Sequence, residues 1–277
     1  MNMGTRQQRQ FNTVREHFDK TSNWWEEIYH RKHRWHGRDQ NFISRLCFVR
    51  DLIEGAEGAL LDIGCGTGVA TAQLYPPRTS RIAGVDISEQ MIARAKRVFE
   101  ENPSIDVPFE FRVERAEAMS FPEESFDIVT ALGVIEYVDD PLVLLKEMAR
   151  VMRPGGTAVI TAPHVYCPFR WWDCYLLEWL KAPFRPAVRF LKYYVLRKQR
   201  PTKPRIHHTQ FSFRKMANMA SQAGLVADRH LYCTICSDSI ETILPIGGPL
   251  TRLMDRFAYH HWISWIASNL IVRLRKR

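Results

Sequence analysis

The spacing of apolar side chains changes twice along the chain. Around residues 12–53 it is helical, carried by Phe11, Val14, Phe18, Trp24, Trp25, Ile28 and Tyr29, and it predicts helices with Asn12 or Thr13 capping the first. From residue 59 short apolar runs take over at 59–63, 81–86, 109–113, 126–131 and 157–161. Helical stretches at 67–75, 88–101 and 142–152 separate them. Strands that alternate with helices predict βαβ units and a doubly wound, mostly parallel α/β sheet with right-handed crossovers. The rhythm breaks over 164–206, then resumes with a helix near 212–223, ended by Gly224, and a strand after Leu225. Residues 269–274 fit either a last strand or the end of a helix, because periodicity over so short a run does not separate the two. The expected organisation is an N-terminal helical cap over 1–57 and a seven-stranded α/β domain over 58–277. The 164–206 segment is an insertion that joins the cap in covering the ligand pocket.

Composition supports a folded domain. Of 277 residues 45% are hydrophobic, enough for a full core, and 25% are charged, a balance unlike that of disordered chains. Six cysteines are scattered, and the polar opening MNMGTRQQRQFN has no apolar stretch of the signal-peptide kind, so reduced thiols in the cytoplasm are expected. The net charge of +9 is unevenly spread. Residues 60–163 carry a balance of −6, residues 164–206 one of +8 and residues 250–277 one of +5. Basic charge outside the ligand core points to an anionic surface, membrane or nucleic acid.

The sharpest chemical signal is LLDIGCGTG at 60–68, where an apolar strand runs into Gly64, Gly66 and Gly68 and a helix follows. Glycines let the backbone turn tightly and approach a ligand with no Cβ in the way, at the strand end where open α/β sheets bind ligands. The dinucleotide fingerprint would need a third glycine at Val69, and the Gly-Lys-Ser/Thr of a P-loop is absent. Asp62, just before the turn, is a poor neighbour for a pyrophosphate and a good one for an ammonium or sulfonium. A second signal is GVDIS at 84–88: Asp86 lies at the end of the next strand, placed to accept ribose hydroxyls, while Ser88 caps the following helix.

With these motifs in order, and with FPEESFDIVTALGVIEYVDDP at 121–141 and RVMRPGG at 150–156, the chain resembles the class I S-adenosylmethionine-dependent methyltransferases, a Rossmann-like family. The resemblance covers about 58–163 well and 207–226 loosely. It implies S-adenosyl-L-methionine as cofactor, with Gly64, Gly66 and Gly68 on its methionyl and ribose parts and Asp86 on the ribose. Asp62, Cys65, Ile87, Ala116, Glu117 and Gly133 complete the cofactor set. Where relatives often carry an acid before an alanine to read the adenine, this chain has Arg115 and Ala116. Arginine accepts no hydrogen bond, so the backbone of Ala116 is expected there and Arg115 is expected to point elsewhere.

Methyl transfer to a hydroxyl also needs a base near the ends of strands four and five. Glu136 and Tyr137 stand where the ubiquinone-biosynthesis O-methyltransferases, which this chain resembles in the placement of its insertion, carry Glu-His. His164, after strand five, and His207 with His208, closing the insertion, are the other candidates, against packed or solvated roles for each. The Cys233-x-x-Cys236 spacing suits zinc, but no second pair faces it and no metal is expected.

Segments 164–200 and 250–266 interleave aromatics with Lys and Arg, a composition that suits peripheral membrane contact or a lid packed on the sheet. Their charge-free stretch 262–272 has 11 residues, against roughly 20 for a span. The expected acceptor is a lipophilic small molecule (quinone, phenol or lipid), methylated on oxygen, by a cytoplasmic protein that associates with membranes. Methylation of nitrogen on a soluble molecule or lipid head group, a nucleic-acid acceptor and a non-catalytic cofactor-binding scaffold are the alternatives. Nucleic acid is the less favoured, since no RNA-binding module is recognisable.

Overall fold

In the computed structural model the described residues are 3–30, 37–167, 208–233 and 267–277, with single positions at 183, 253, 256, 257, 260 and 262. Side chains of residues 3–9, 26–30 and 37–41 are not among them. Two helices, α1 (Met3–His30) and α2 (Gly37–Ile53), precede β1 (Gly58–Ile63), α3 (Val69–Leu74), β2 (Thr79–Asp86), α4 (Glu89–Glu100) and β3 (Phe109–Val113). Then come β4 (Phe126–Leu132), α5 (Pro141–Val151), β5 (Met152–Pro163), α6 (Phe213–Gln222), β6 (Leu225–Cys233) and β7 (Asn269–Lys276). They form a seven-stranded sheet of order β3-β2-β1-β4-β5-β7-β6. Strands β1 to β5 are parallel, and β7 runs antiparallel to both β5 and β6. The doubly wound, mostly parallel α/β sheet expected from the alternating runs is the observed one.

Strand periodicity explains how both faces are covered. Leu61, Val129 and Ile160 point to one face, where Leu145 and Met148 of α5 and Met216 of α6 bury them. Their neighbours Leu60, Ile128 and Val159 point to the other, against Val49 and Leu52 of α2, Leu74 of α3 and Ile92 and Phe99 of α4. A sheet buried on both faces reads as continuous apolar runs, which is why the sequence shows them. Side-chain caps set three helix starts: Ser88 accepts from Met91 N–H at 3.1 Å, Asp140 from Leu142 N–H at 2.9 Å and Ser212 from Lys215 N–H at 3.3 Å.

Three local features differ from the pattern reading. Helix α1 runs through Asn12 and Thr13 instead of starting there, because the Arg- and Gln-rich stretch before them is itself a good helix former. Strand β5 begins at Met152, ahead of the Pro154–Gly156 turn: Met152 pairs with Phe126 and Thr157 with Ile128, so the turn is a bulge inside the strand. Residues 269–276 form a strand, chosen by pairing on both sides and not by their own period.

Phe99 of α4, with its ring 5.3 Å from Phe109 and 4.8 Å from Phe111, closes the β3 edge. Phe99→Ala is expected to destabilise the protein by about 3–5 kcal/mol, with the urea midpoint falling and the slope unchanged.

Candidate active site

Order of strands places a crevice at the carboxyl ends of β1 and β4, where the chain winds outward in opposite directions. The glycine loop fills one lip of it. Gly64 and Cys65 both donate their N–H to the carbonyl oxygen of Val85, at 2.7 and 3.0 Å, which ties the end of β1 to the end of β2. Gly66 donates its N–H to Asp86 Oδ2 at 3.0 Å, and Ser88 donates to Asp86 Oδ1 at 2.9 Å. Each carboxylate oxygen thus holds one backbone N–H and keeps further acceptor capacity. Gly64 has φ 69°, and a Cβ there would overlap the Val134 side chain; Gly66 has φ 54° and faces open space. Gly68 differs from its neighbours. It precedes α3 and lies where a Cβ would come within 3.0 Å of Ala95 on α4, so it serves loop packing and does not line the cavity.

Two acids dominate the lip, Asp62 buried and Asp86 partly exposed. Asp62, 3% exposed, accepts from Thr130 Oγ1 at 2.7 Å and Thr71 Oγ1 at 2.5 Å. Burial pushes its carboxyl up to about 6, against the pull of those two hydroxyls. Burial likewise pushes Asp86 up to about 6; the Ser88 and Gly66 N–H groups oppose the rise, and the charges of Asp62 and Asp19 add to it. Burial first, then both carboxylates, raise the Cys65 thiol, so that cysteine stays protonated and is no nucleophile. Two raised carboxyls in one cavity fit a ligand that brings positive charge and hydroxyls, the chemistry expected of the cofactor.

Asp62, Gly64, Cys65, Gly66, Asp86 and Ile87 line a single cavity of about 290 Å³. Ala116, Glu117 and Gly133 line it from the β3 and β4 sides. Of the ten residues expected on the cofactor only Gly68 is elsewhere. Arg115, expected to point elsewhere, also lines the cavity, with its guanidinium over the Phe11 ring at 4.5 Å and toward Glu117 at 3.5 Å. Helix α1 lies across the opening, contributing Phe11, Phe18 and Trp25, and α2 adds Phe42. Asp19 of α1 accepts from Ser88 Oγ at 2.5 Å, and Asn23 pairs with Arg94 of α4, which fixes α1 over the cofactor lip. Of the cap aromatics, Trp25 reaches the cavity and Trp24 packs against it with ring centres 5.0 Å apart; the Tyr29 side chain is outside the described residues.

Glu136 and Tyr137 line the far wall. Glu136 is 8% exposed, and Thr209 donates its N–H to the Glu136 carbonyl at 3.2 Å, anchoring the chain that returns from the insertion. Burial and the Glu136 charge push the Tyr137 phenol well above its ordinary range, so it remains a protonated donor. Its ring meets Phe18 at 5.3 Å and His208 at 4.9 Å; His208 itself is exposed and off the cavity lining. His207 lies outside the described residues. The base expected in His164 is not placed to act: the residue is 1% exposed, its N–H donates to Ser268 O, and its ring packs between Tyr166 and Tyr232 away from the lining. Its position at the tip of β5, where three strands and Phe211 converge, makes it core. Among the described residues no group of three or more His, Cys, Asp or Glu could hold a metal ion; Cys236 lies outside them. The cavity also holds Arg45 of α2, which the pattern of residues had not singled out.

Residues 61–160 match the methyltransferase domain family. The phosphatidylethanolamine N-methyltransferase of Cereibacter sphaeroides is 39% identical over 103 residues, 37% of this chain and 49% of that protein. The ubiquinone biosynthesis O-methyltransferase of Pseudomonas entomophila is 29% identical over 131 residues, 45% of this chain and 55% of that protein. The chain thus spans about half the length of these curated relatives. In fold, a structure of the complex between the Haloferax volcanii Trm112 methyltransferase activator and a methyltransferase superposes with a TM-score of 0.61 at 19% identity, over 95% of this chain and 96% of that one.

The raised acids carry a pH signature. Both hold protons in the folded state up to about 6, above the ordinary carboxyl range, so their contribution destabilises the ligand-free protein as pH rises from about 4 to about 6. A cationic ligand that prefers them ionised gains over the same window. S-adenosylmethionine affinity is expected to rise by about tenfold or more between pH 5 and pH 7, read by calorimetry, and Asp86→Asn is expected to flatten that rise as well as weaken binding.

Proposed function

We propose that this chain, whose residues 61–160 match the methyltransferase domain family, is a class I S-adenosylmethionine-dependent methyltransferase that methylates an oxygen of a lipophilic small molecule, a phenol, quinol or lipid, at or near a membrane surface. One observation carries the reading: a single cavity joins the acidic glycine lip to a wall of Phe11, Phe18, Trp25, Phe42 and Tyr137. A polar lip holds the cofactor and the ring-lined wall receives an apolar acceptor.

When bound, S-adenosylmethionine supplies an electrophilic methyl on a sulfonium that is already a good leaving group. What remains for the protein is alignment and proton removal. Asp86 and the glycine backbone bind the nucleoside part, and Asp62 faces the positive end. The α1 aromatics keep water from the reacting centre and press the acceptor toward it. Glu136, on the wall beside Gly133, takes the acceptor hydroxyl proton, while the Tyr137 phenol keeps its own and orients the acceptor. His208, stacked edge-on against Tyr137, supports that ring.

Membrane proximity rests on the basic aromatic segments 164–200 and 250–266. Their described positions include exposed Tyr166, Leu253, Phe257 and Trp262, a set suited to the interface. No described helix is long and apolar enough to cross a membrane. A second reading, N-methylation of a lipid head group, draws on the 39% identity to the phosphatidylethanolamine enzyme. An amine that reaches the site neutral needs no base, so Glu136 separates the two.

In an assay pairing prenylated hydroquinone with ethanolamine phospholipid vesicles, transfer to the hydroquinone is expected. Glu136→Gln should lower kcat by about 100-fold or more with cofactor affinity unchanged. Transfer to the amine lipid, insensitive to that substitution, would establish the second reading instead.

A further inference from the structure

Strand β3 is one end of the sheet: among the described strands it pairs with β2 alone. Ile82 donates its N–H to the Pro108 carbonyl at 2.9 Å, and Glu114 donates its own to the Asp86 carbonyl at 3.0 Å. Backbone groups alternate in direction along a strand. Those of residues 108, 110, 112 and 114 therefore serve β2, and those of Phe109, Phe111 and Val113 point outward. An outer row of this kind is a template for another strand. Side chains alternate as well. Phe109 and Phe111 lie against Phe99 of α4, and Val113 follows them on that face, 47% exposed. Glu110 and Arg112 occupy the other face, bonded to one another at 2.6 Å, with the guanidinium over the Phe121 ring. Both side chains are partly exposed.

Charged side chains on an edge deter pairing when the incoming strand brings no counter-charge. Here they select one partner, because Phe-Glu-Phe-Arg-Val at 109–113 is complementary to itself read backwards. With a two-fold axis at Phe111, antiparallel pairing sets Phe111 against the partner's Phe111, Phe109 against the partner's Val113 and Glu110 against the partner's Arg112. The outward backbone groups of Phe109, Phe111 and Val113 make the hydrogen bonds. Glu110 and Arg112 then fall at the non-hydrogen-bonded positions, where facing side chains stand closest. Aromatic against β-branched and acid against base are both favourable cross-strand pairs. Moving the axis to residue 110 or 112 opposes glutamate to glutamate or arginine to arginine, and larger shifts leave only an end residue of the strand paired. We infer that this chain forms an isologous dimer by antiparallel pairing of β3 with β3 of a second copy. The pairing covers Val113, whose exposure the monomer leaves without a purpose. Strand β3 leads into Glu114, Ala116 and Glu117 of the cavity wall, so the dimer axis passes beside the candidate cofactor site. Five residues from each copy make a small interface, and the dimer stands in concentration-dependent equilibrium with the monomer.

Sedimentation equilibrium of the full chain over roughly 1 μM to 1 mM tests the pairing. Wild type is expected to pass from monomer to dimer within that range. Glu110→Arg and Arg112→Glu each set like charges across the axis and should weaken self-association by about tenfold or more. Mixed in equal amounts, the two variants should associate within about threefold of wild type, because every arginine then faces a glutamate. Val113→Lys, at an exposed position the fold does not need, should also weaken the dimer. Far-ultraviolet circular dichroism checks that each variant is folded. Three outcomes would overturn the assignment. One is a wild type that stays monomeric throughout. Another is a dimer indifferent to all three substitutions. The last is a mixture of the two charge variants that associates no better than either alone.

Discussion

The hydrogen bond from Gly66 N–H to the Asp86 carboxylate is the constraint on which the site depends. It joins two loops that leave neighbouring parallel strands, and with the Val85 carbonyl accepting from Gly64 and Cys65 it fixes how far those loops stand apart. The geometry demands a left-handed backbone at Gly64 and Gly66 and leaves no room for a Cβ against Val134. It also holds a carboxylate in a partly desolvated loop junction. Asp62 adds a second, held in place by the Thr71 and Thr130 hydroxyls. Stability is lost locally so that a positively charged ligand finds a ready counter-charge, a common arrangement where function opposes the best packing.

Around that lip the rest of the molecule is arranged by layer. Helices α2 to α4 cover one face of the sheet, α5 and α6 the other, and α1 is left to cross the carboxyl end. Because α1 is tied to α4 through Asp19 and Ser88, the residue that caps α4 also positions the aromatic roof. Cofactor lip, roof and far wall are in this way referred to the same two loop ends, and a small change at Asp86 is felt in all three.

Much of this was legible in the residues. Strands buried on both faces announce themselves as apolar runs, and the glycine loop carries its own signature because backbone conformation and close approach are local demands. Nine of the ten expected cofactor residues meet in the cavity for that reason. What was not legible depends on direction in space. Gly68 reads like its two neighbours, yet it packs on Ala95 instead of facing the ligand. His164 follows a strand as a catalytic residue would, but antiparallel β7 and the Phe211 segment enclose it. Arg45 is a single cation among apolar residues of α2, and nothing in one sequence distinguishes a cavity-facing arginine from a solvated one. The beginning of α1 was missed because its first turns are polar all round, with no stripe to mark them.

The placement of β7 has a kinetic side. Among the described strands β6 pairs with β7 alone, so it has no seat on the sheet until residues 269–276 arrive between it and β5. A chain emerging in order assembles the five parallel strands first and carries β5 as a bare edge, with Ala158 to Ala162 open to pairing with another copy. Closing that edge takes contacts more than a hundred residues apart in sequence, such as Ala158 with Leu274, and long-range closure is slow. Premature truncation before β7 therefore leaves intact every residue of the cofactor lip and still exposes an adhesive edge, which makes aggregation the characteristic failure of a shortened chain.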